Sequence, residues 1–151
     1  MKNTDSKTTQ DKDITSPLIY NQEEYHGYGV HGGTGDIYSS KRSGGWKRMS
    51  FSVSGQSPYP HGIIMSGPGV KKSIVQHIAV HETLNPDLPV PPGMTSEEWR
   101  DMPPSAKRWF RHIWQVNHKD HDHLNHGPSN LEWTTQQENV NKYQRHRRET
   151  A

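Results

Sequence analysis

The sequence has no cysteine. No disulfide can form and no thiolate can hold zinc, which excludes disulfide scaffolds and cysteine zinc fingers. Apolar residues are scarce, at 28% of 151, phenylalanine occurs twice, and mean hydropathy is −1.10. A chain this polar is expected to build a thin or divided core, with much of its length spread over a partner. No apolar run approaches the length of a membrane span or a signal-peptide core, so a soluble, cytoplasmic protein with no membrane partner is expected. A large excess of one charge is also missing. Eighteen Lys and Arg face sixteen Asp and Glu, giving a net charge of +2, with eleven histidines and a pI near 8.8. That balance permits a nucleic-acid partner without requiring one.

Residues 1–16 are polar and of mixed charge, and read as a disordered lead-in. Residues 17–72 are rich in Gly, Ser and Tyr, with short alternating runs at 36–39, 46–51 and 62–65 that predict a small twisted antiparallel sheet. Basic pairs stand at Lys41-Arg42, Lys47-Arg48 and Lys71-Lys72. Neighbours on a strand face opposite sides, so one row of these is a candidate for phosphate contact; the alternative is ordinary solvated charge. Within 73–104, apolar positions 74, 75, 78 and 79 predict a helix from Ser73 to Leu84, stopped by Asn85-Pro86. His77 and His81 lie four apart on it, a spacing that can hold metal, but no third ligand follows in the expected context and a packed or surface role is preferred. A proline-rich connector follows, with one capped helical turn at Thr95–Trp99.

Residues 105–151 hold the strongest local pattern. A short basic helix around Ser105–His112 carries Arg108 and Arg111, two more candidates for phosphate contact. Ile113–Val116 predicts a strand ending at Asn117-His118, Leu131–Thr134 a second, and a polar loop joins them. Thr135 with Glu138 forms a capping-box sequence that starts a helix to about Arg147. Asn139 falls in its first turn, where unpaired amides and the macrodipole favour an anion. Val140 and Tyr143 are expected beneath Trp114 and Trp133, Glu138 and Lys142 pair on the solvent side, and Arg145, Arg147 and Arg148 make a cationic end suited to phosphate.

Three segments carry a resemblance. Val116-Asn117-His118-Lys119-Asp120, Asn130-Leu131-Glu132-Trp133-Thr134 and Glu138-Asn139 resemble the successive signatures of the HNH endonuclease family, in its phage and intron homing subgroup. The anchors His118, Asn130 and Asn139 are twelve and nine residues apart, as in the family pattern. Residues 28–39 are similar to the small β module ahead of some phage members, and the helix bearing His77 to the one preceding their active unit. The resemblance implies an α+β fold: an N-terminal antiparallel β module that contacts DNA, a bridging helix, and a C-terminal ββα-metal unit. It implies a metal-dependent endonuclease that nicks double-stranded DNA as a monomer, with Mg²⁺ or Mn²⁺ as cofactor, encoded by a phage in a bacterial host. His118 takes the role of general base, for which imidazole's near-neutral pKa suits it. Asn130 takes that of the residue that pins the loop and, by its carbonyl or its side chain, holds the base's other ring nitrogen, and Asn117 and Asn139 those of metal ligands.

Asn117 departs from the family, where Asp often precedes the base. Two neutral amides hold Mg²⁺ weakly, and Asp120 or Asp122 is an alternative ligand. His121, His123 and His126 suggest either a transition-metal loop or phosphate contacts. The rival reading from another class is a non-catalytic DNA-binding module with a degenerate site; a histidine-rich metal-binding protein is a third. Within these 151 residues nothing like the helix-turn-helix of some relatives follows the tail, so sequence preference is expected from the β module and connector.

Overall fold

A computed structural model describes residues 11–42 and 44–150, without the side chains of Asn139, Lys142 and Tyr143. Short strands dominate the N-terminal half: β1 (Ile14–Thr15), β2 (Leu18–Tyr20), β3 (Glu23–Tyr25), β4 (Tyr28–His31), β5 (Ile37–Ser39), β6 (Lys47–Arg48), β7 (His61–Gly67) and β8 (Val70–Val75). Then come α1 (Gln76–Leu84), α2 (Ser96–Asp101), α3 (Pro104–Trp109), a 3-10 turn at Phe110–Ile113, β9 (Trp114–His118), β10 (Leu131–Thr135) and α4 (Gln136–Thr150). All pairing is antiparallel, in one sheet of order β1-β4-β5-β6 and three hairpins, β2–β3, β7–β8 and β9–β10. The fold is thus a mixture of helices and small antiparallel sheets, as the α+β pattern predicts.

Several boundaries move. Ile14 and Thr15, assigned by composition to a lead-in, pair with His31 and Val30. Gly29 makes this possible, because a Cβ there would sit 2.6 Å from the Ile14 side chain. The rest of the lead-in, residues 1–10, lies outside the described residues. Ser73–Val75 close strand β8 against Ile63, Gly62 and His61 instead of opening the helix. Ile74 and Val75 are β-branched and favour the strand. The helix begins at Gln76, whose N–H bonds to the Pro60 carbonyl.

The core is thin but not divided. Leu18, Tyr20, Tyr28, Val30 and Ile37 from the β module, Ile64 and Ile74 from β7–β8, Ala79 and Val80 from α1, and Val116 and Leu131 from β9–β10 form one buried cluster. Helix α1 lies at its centre. Gln76, His77, His81, Glu82 and Thr83 are buried along with its apolar residues, so nearly every side of the helix meets protein. Those polar groups tie distant strands: the Thr83 hydroxyl exchanges hydrogen bonds with both backbone groups of Ile19, and Glu82 accepts the N–H groups of Asn21 and Gln22 at 2.7 Å. Buried polar groups require such partners. Thr95 and Glu98 form the reciprocal cap expected of α2. No helix among the described residues is long and apolar enough to cross a membrane.

Candidate active site

The β9–β10 register sets His118 opposite Leu131 and Asn117 opposite Glu132. The intervening loop is held by its own side chains. The Asn130 amide oxygen accepts the Asp120 N–H at 3.1 Å, while its nitrogen donates to the Asp120 carboxylate and the Asn125 carbonyl, both at 2.9 Å. Asp120 also accepts from the Asn125 amide and the Asp122 N–H. Hydrogen bonds from Asn125, Asp122 and Asn130 hold the Asp120 carboxyl down at about 2. Asn130 therefore pins the loop, as its position suggests. Its amide is engaged with Asp120 and Asn125, however, and not with the His118 ring. Asp120, considered above as an alternative metal ligand, has both carboxylate oxygens committed to the same network.

His118 ends β9 with only 3% of its surface exposed. It forms part of the floor of a cleft of about 360 Å³, lined also by Tyr59, Val116, Asn117, His121 and His123, with Val140, Gln144 and Arg147 of α4 on the far wall. Tyr59 stacks almost parallel to the His118 ring, 5.9 Å between centroids and 8° between planes, and also meets His77 at 4.8 Å and His123 at 4.6 Å. His77 is closer to His118, at 4.5 Å. Burial, then the neighbouring His123, lowers the His118 pKa against the opposing pull of Asp120 and Asp122. Burial, then His118 and His123, depresses His77 to about 3. Both rings are thus held neutral near pH 7.

The amide nitrogen of Asn117 donates to Glu132 at 3.0 Å, which leaves the amide oxygen as the donor atom this side chain can offer a cation. An oxygen donor at the cleft edge fits a hard divalent ion that retains most of its waters. The second expected ligand, the Asn139 side chain, lies outside the described residues. The loop histidines diverge. His126 meets Asp36 at 3.2 Å, His121 stacks on His146 at 4.0 Å, and His123 packs against Tyr59, so the three do not converge on one ion. Among the described residues no group of three or more His, Asp or Glu is arranged to hold a metal.

The basic candidates fall in different places. Arg147 lines the His118 cleft; Arg145 lines an adjoining pocket with Asn117 and Lys119, and Arg148 a third pocket with Arg145. Lys41 and Arg42 sit in an exposed turn after β5, not in a strand, and Lys41 lies 5.6 Å over the Tyr28 ring. Lys47 and Arg48 form β6, both exposed, while on β8 Lys71 is exposed and Lys72 half-buried. Arg108 lines a groove with Trp99 and Pro104. None of these seven lines the cleft. Arg111 is turned inward: its guanidinium donates to Glu82, to the Trp114 carbonyl and to Asn21. Val140, expected beneath the tryptophans, is 45% exposed on the cleft wall, because α4 presents that face to the cavity. Its expected companion Tyr143, and Lys142 of the expected solvent pair, have side chains outside the described residues. Glu138 instead accepts a hydrogen bond from the Thr134 hydroxyl.

No protein-family model and no curated protein matches the chain. A solved structure does: the HNH homing endonuclease I-HmuI, described for its DNA binding and cleavage, superposes with a TM-score of 0.53 at 23% identity. The fold resembles that of an HNH homing endonuclease. The likeness covers 80% of this chain and 53% of that one, so the protein spans about half the length of its HNH neighbour.

Tyr59 and Gln144 line the cleft, and the buried His77 packs against Tyr59 and His118, without a signal in the motif itself. The flanking Pro58 and Pro60, which restrict the backbone on both sides of Tyr59, are the sole local hint that this ring is held in place.

Proposed function

We propose that the protein is a metal-dependent DNA endonuclease of the HNH type that nicks one strand of a duplex. The observation that carries this reading is the placement of a neutral, partly enclosed imidazole, His118, across one cleft from the cationic face of α4 at Arg147. A neutral imidazole can take the proton of an attacking water. A phosphodiester entering the cleft would meet Arg147 on the wall and Asn117 at the edge, so its charge is met while the water is held by His118. Asn117 and Asn139 would hold Mg²⁺ or Mn²⁺, which when bound supplies Lewis-acid stabilisation of the phosphorus centre and the leaving oxygen. Asn130 serves catalysis by keeping the loop after His118 in one conformation.

Lys41, Arg42, Lys47, Arg48, Lys71, Lys72, Arg108, Arg145 and Arg148 are the surface cations available for flanking phosphates. Arg111 is left out because Glu82 occupies it. One base per chain fits cleavage of one strand by a monomer. A second reading, a DNA-binding module without chemistry, is favoured by Asn117, a neutral side chain bonded to Glu132.

Supercoiled plasmid incubated with Mg²⁺ or Mn²⁺ tests both. The wild-type protein is expected to give relaxed circles before linear product, and His118→Ala to slow this by about 10²–10⁴-fold, the usual worth of a general base. Retention of DNA with no cleavage by either protein would transfer the conclusion to the binding module.

A further inference from the structure

The Asn130 amide is engaged inside the loop and the Asn130 backbone carbonyl accepts the Lys119 N–H at 2.7 Å, so the orientation of the His118 ring is sought in the residues packed against it. A general base needs one ring nitrogen carrying its proton into a fixed acceptor, so that the other presents its lone pair to the water. His77 of α1 has the required properties. The Val116 backbone favours a proton on its ring, and its Nδ1 is buried without a partner among the described residues. With that proton on Nε2, toward the Val116 backbone, Nδ1 is left as a bare acceptor. His118 carries the complementary vacancy, since its Nε2 is likewise buried without a partner. The two rings are 4.5 Å apart and Tyr59 covers both. If His118 carried its proton on Nδ1, two buried lone pairs would be left side by side, each without a donor. If it carries the proton on Nε2, donor and acceptor match, and a small ring rotation or one bridging water joins them.

We propose that His77 is the positioning residue of His118, its Nδ1 accepting the Nε2–H and fixing the tautomer in which Nδ1 of His118 faces the attacking water. The inference rests on His118 being the base of the proposed nuclease. It makes α1, not the loop, the element that sets the chemical state of the site. Because His77 on α1 meets His118 on β9 ring to ring, a shift of β9 relative to α1 would alter the contact and the tautomer together.

Two isosteres separate the roles of the His77 nitrogens. His77→Gln puts its amide nitrogen near the position of Nε2 and keeps a donor toward the Val116 backbone while deleting the acceptor. His77→Asn puts an oxygen near the position of Nδ1. Nitrogen-15 NMR of the wild-type protein without DNA is expected to show His118 as the Nε2–H tautomer. Single-turnover cleavage by His77→Gln is expected to fall about 10²-fold, in the range of a misset general base, with unchanged DNA affinity and a mixed His118 tautomer. Asn is expected to recover most of that loss. An Nδ1–H signal from wild-type His118, or wild-type cleavage by His77→Gln, overturns the proposal. If the tautomer is as stated and shifts in His77→Gln, yet the wild type cuts nothing, the positioning contact stands and the nuclease reading fails.

Discussion

Arg111 lies over the ring of Trp133, 4.8 Å from its centroid, and donates from there to both carboxylate oxygens of Glu82 at 3.3 Å. Glu82 is also the acceptor for the Asn21 and Gln22 amides, two residues held in left-handed backbone. One carboxylate thus joins the β2–β3 turn, α1 and the entry to β9.

Removing one partner of such a pair leaves a buried charge without compensation. Arg111→Ala is expected to cost about 3–5 kcal/mol in urea unfolding, with DNA affinity per folded molecule unchanged. A weaker DNA complex at undiminished stability would return Arg111 to the phosphate contacts.

Stability should fall with acid well before the carboxylates titrate. His77 is depressed to about 3 and His81 to about 4, in both cases chiefly by burial, with His118 and His123 adding at the first and Lys119 and Arg111 at the second. The unfolded chain binds these protons near pH 6.5, so the contribution is complete above that pH and is lost as pH falls toward the folded values. Each group gives a slope of up to about 1.4 kcal/mol per pH unit. Urea midpoints between pH 7 and 5 should drop accordingly, and His81→Gln should flatten the curve. The loop network centred on Asp120 should outlast this, since its carboxyl stays ionised down to about pH 2.

Gly35 has φ +75°, and a Cβ there would collide with the His126 carbonyl oxygen. Gly35→Ala should cost more than the roughly 1–3 kcal/mol of left-handed strain alone, because the loop after His118 must also yield. Gly55→Ala, at φ +69° with nothing within 4 Å, supplies the strain-only comparison. Hydrogen exchange at the His121, Asn125 and Asn130 amides, all bonded within the loop, should speed up in the first variant and not in the second.

The ββα unit was legible because its signals are local: alternation in β9 and β10, a polar loop, and Thr135, whose hydroxyl accepts the Glu138 N–H at 3.3 Å. Asn130 was legible for the same reason, its partners lying five to ten residues away. Arg111 was not, since a basic residue on a short exposed-looking helix reads as a surface cation until Glu82, 29 residues earlier, is brought beside it. Helix α1 hid its importance similarly. Buried Gln76, His77, His81, Glu82 and Thr83 weaken the amphipathic signal that periodicity detects. The cover over His118 joins residues 59, 77, 118 and 123, which no local window contains.

The shared core has a consequence for when the site exists. Val116 and Leu131 complete a cluster whose remaining buried members all lie between Leu18 and Val80. A two-stranded hairpin alone is marginal in water. The β9–β10 segment is therefore not a transplantable cartridge, and on the ribosome it can close only after the earlier strands have formed a surface to receive it. The imidazole of His118 therefore reaches its place beneath Tyr59 and beside His77 only when both of those are already in position.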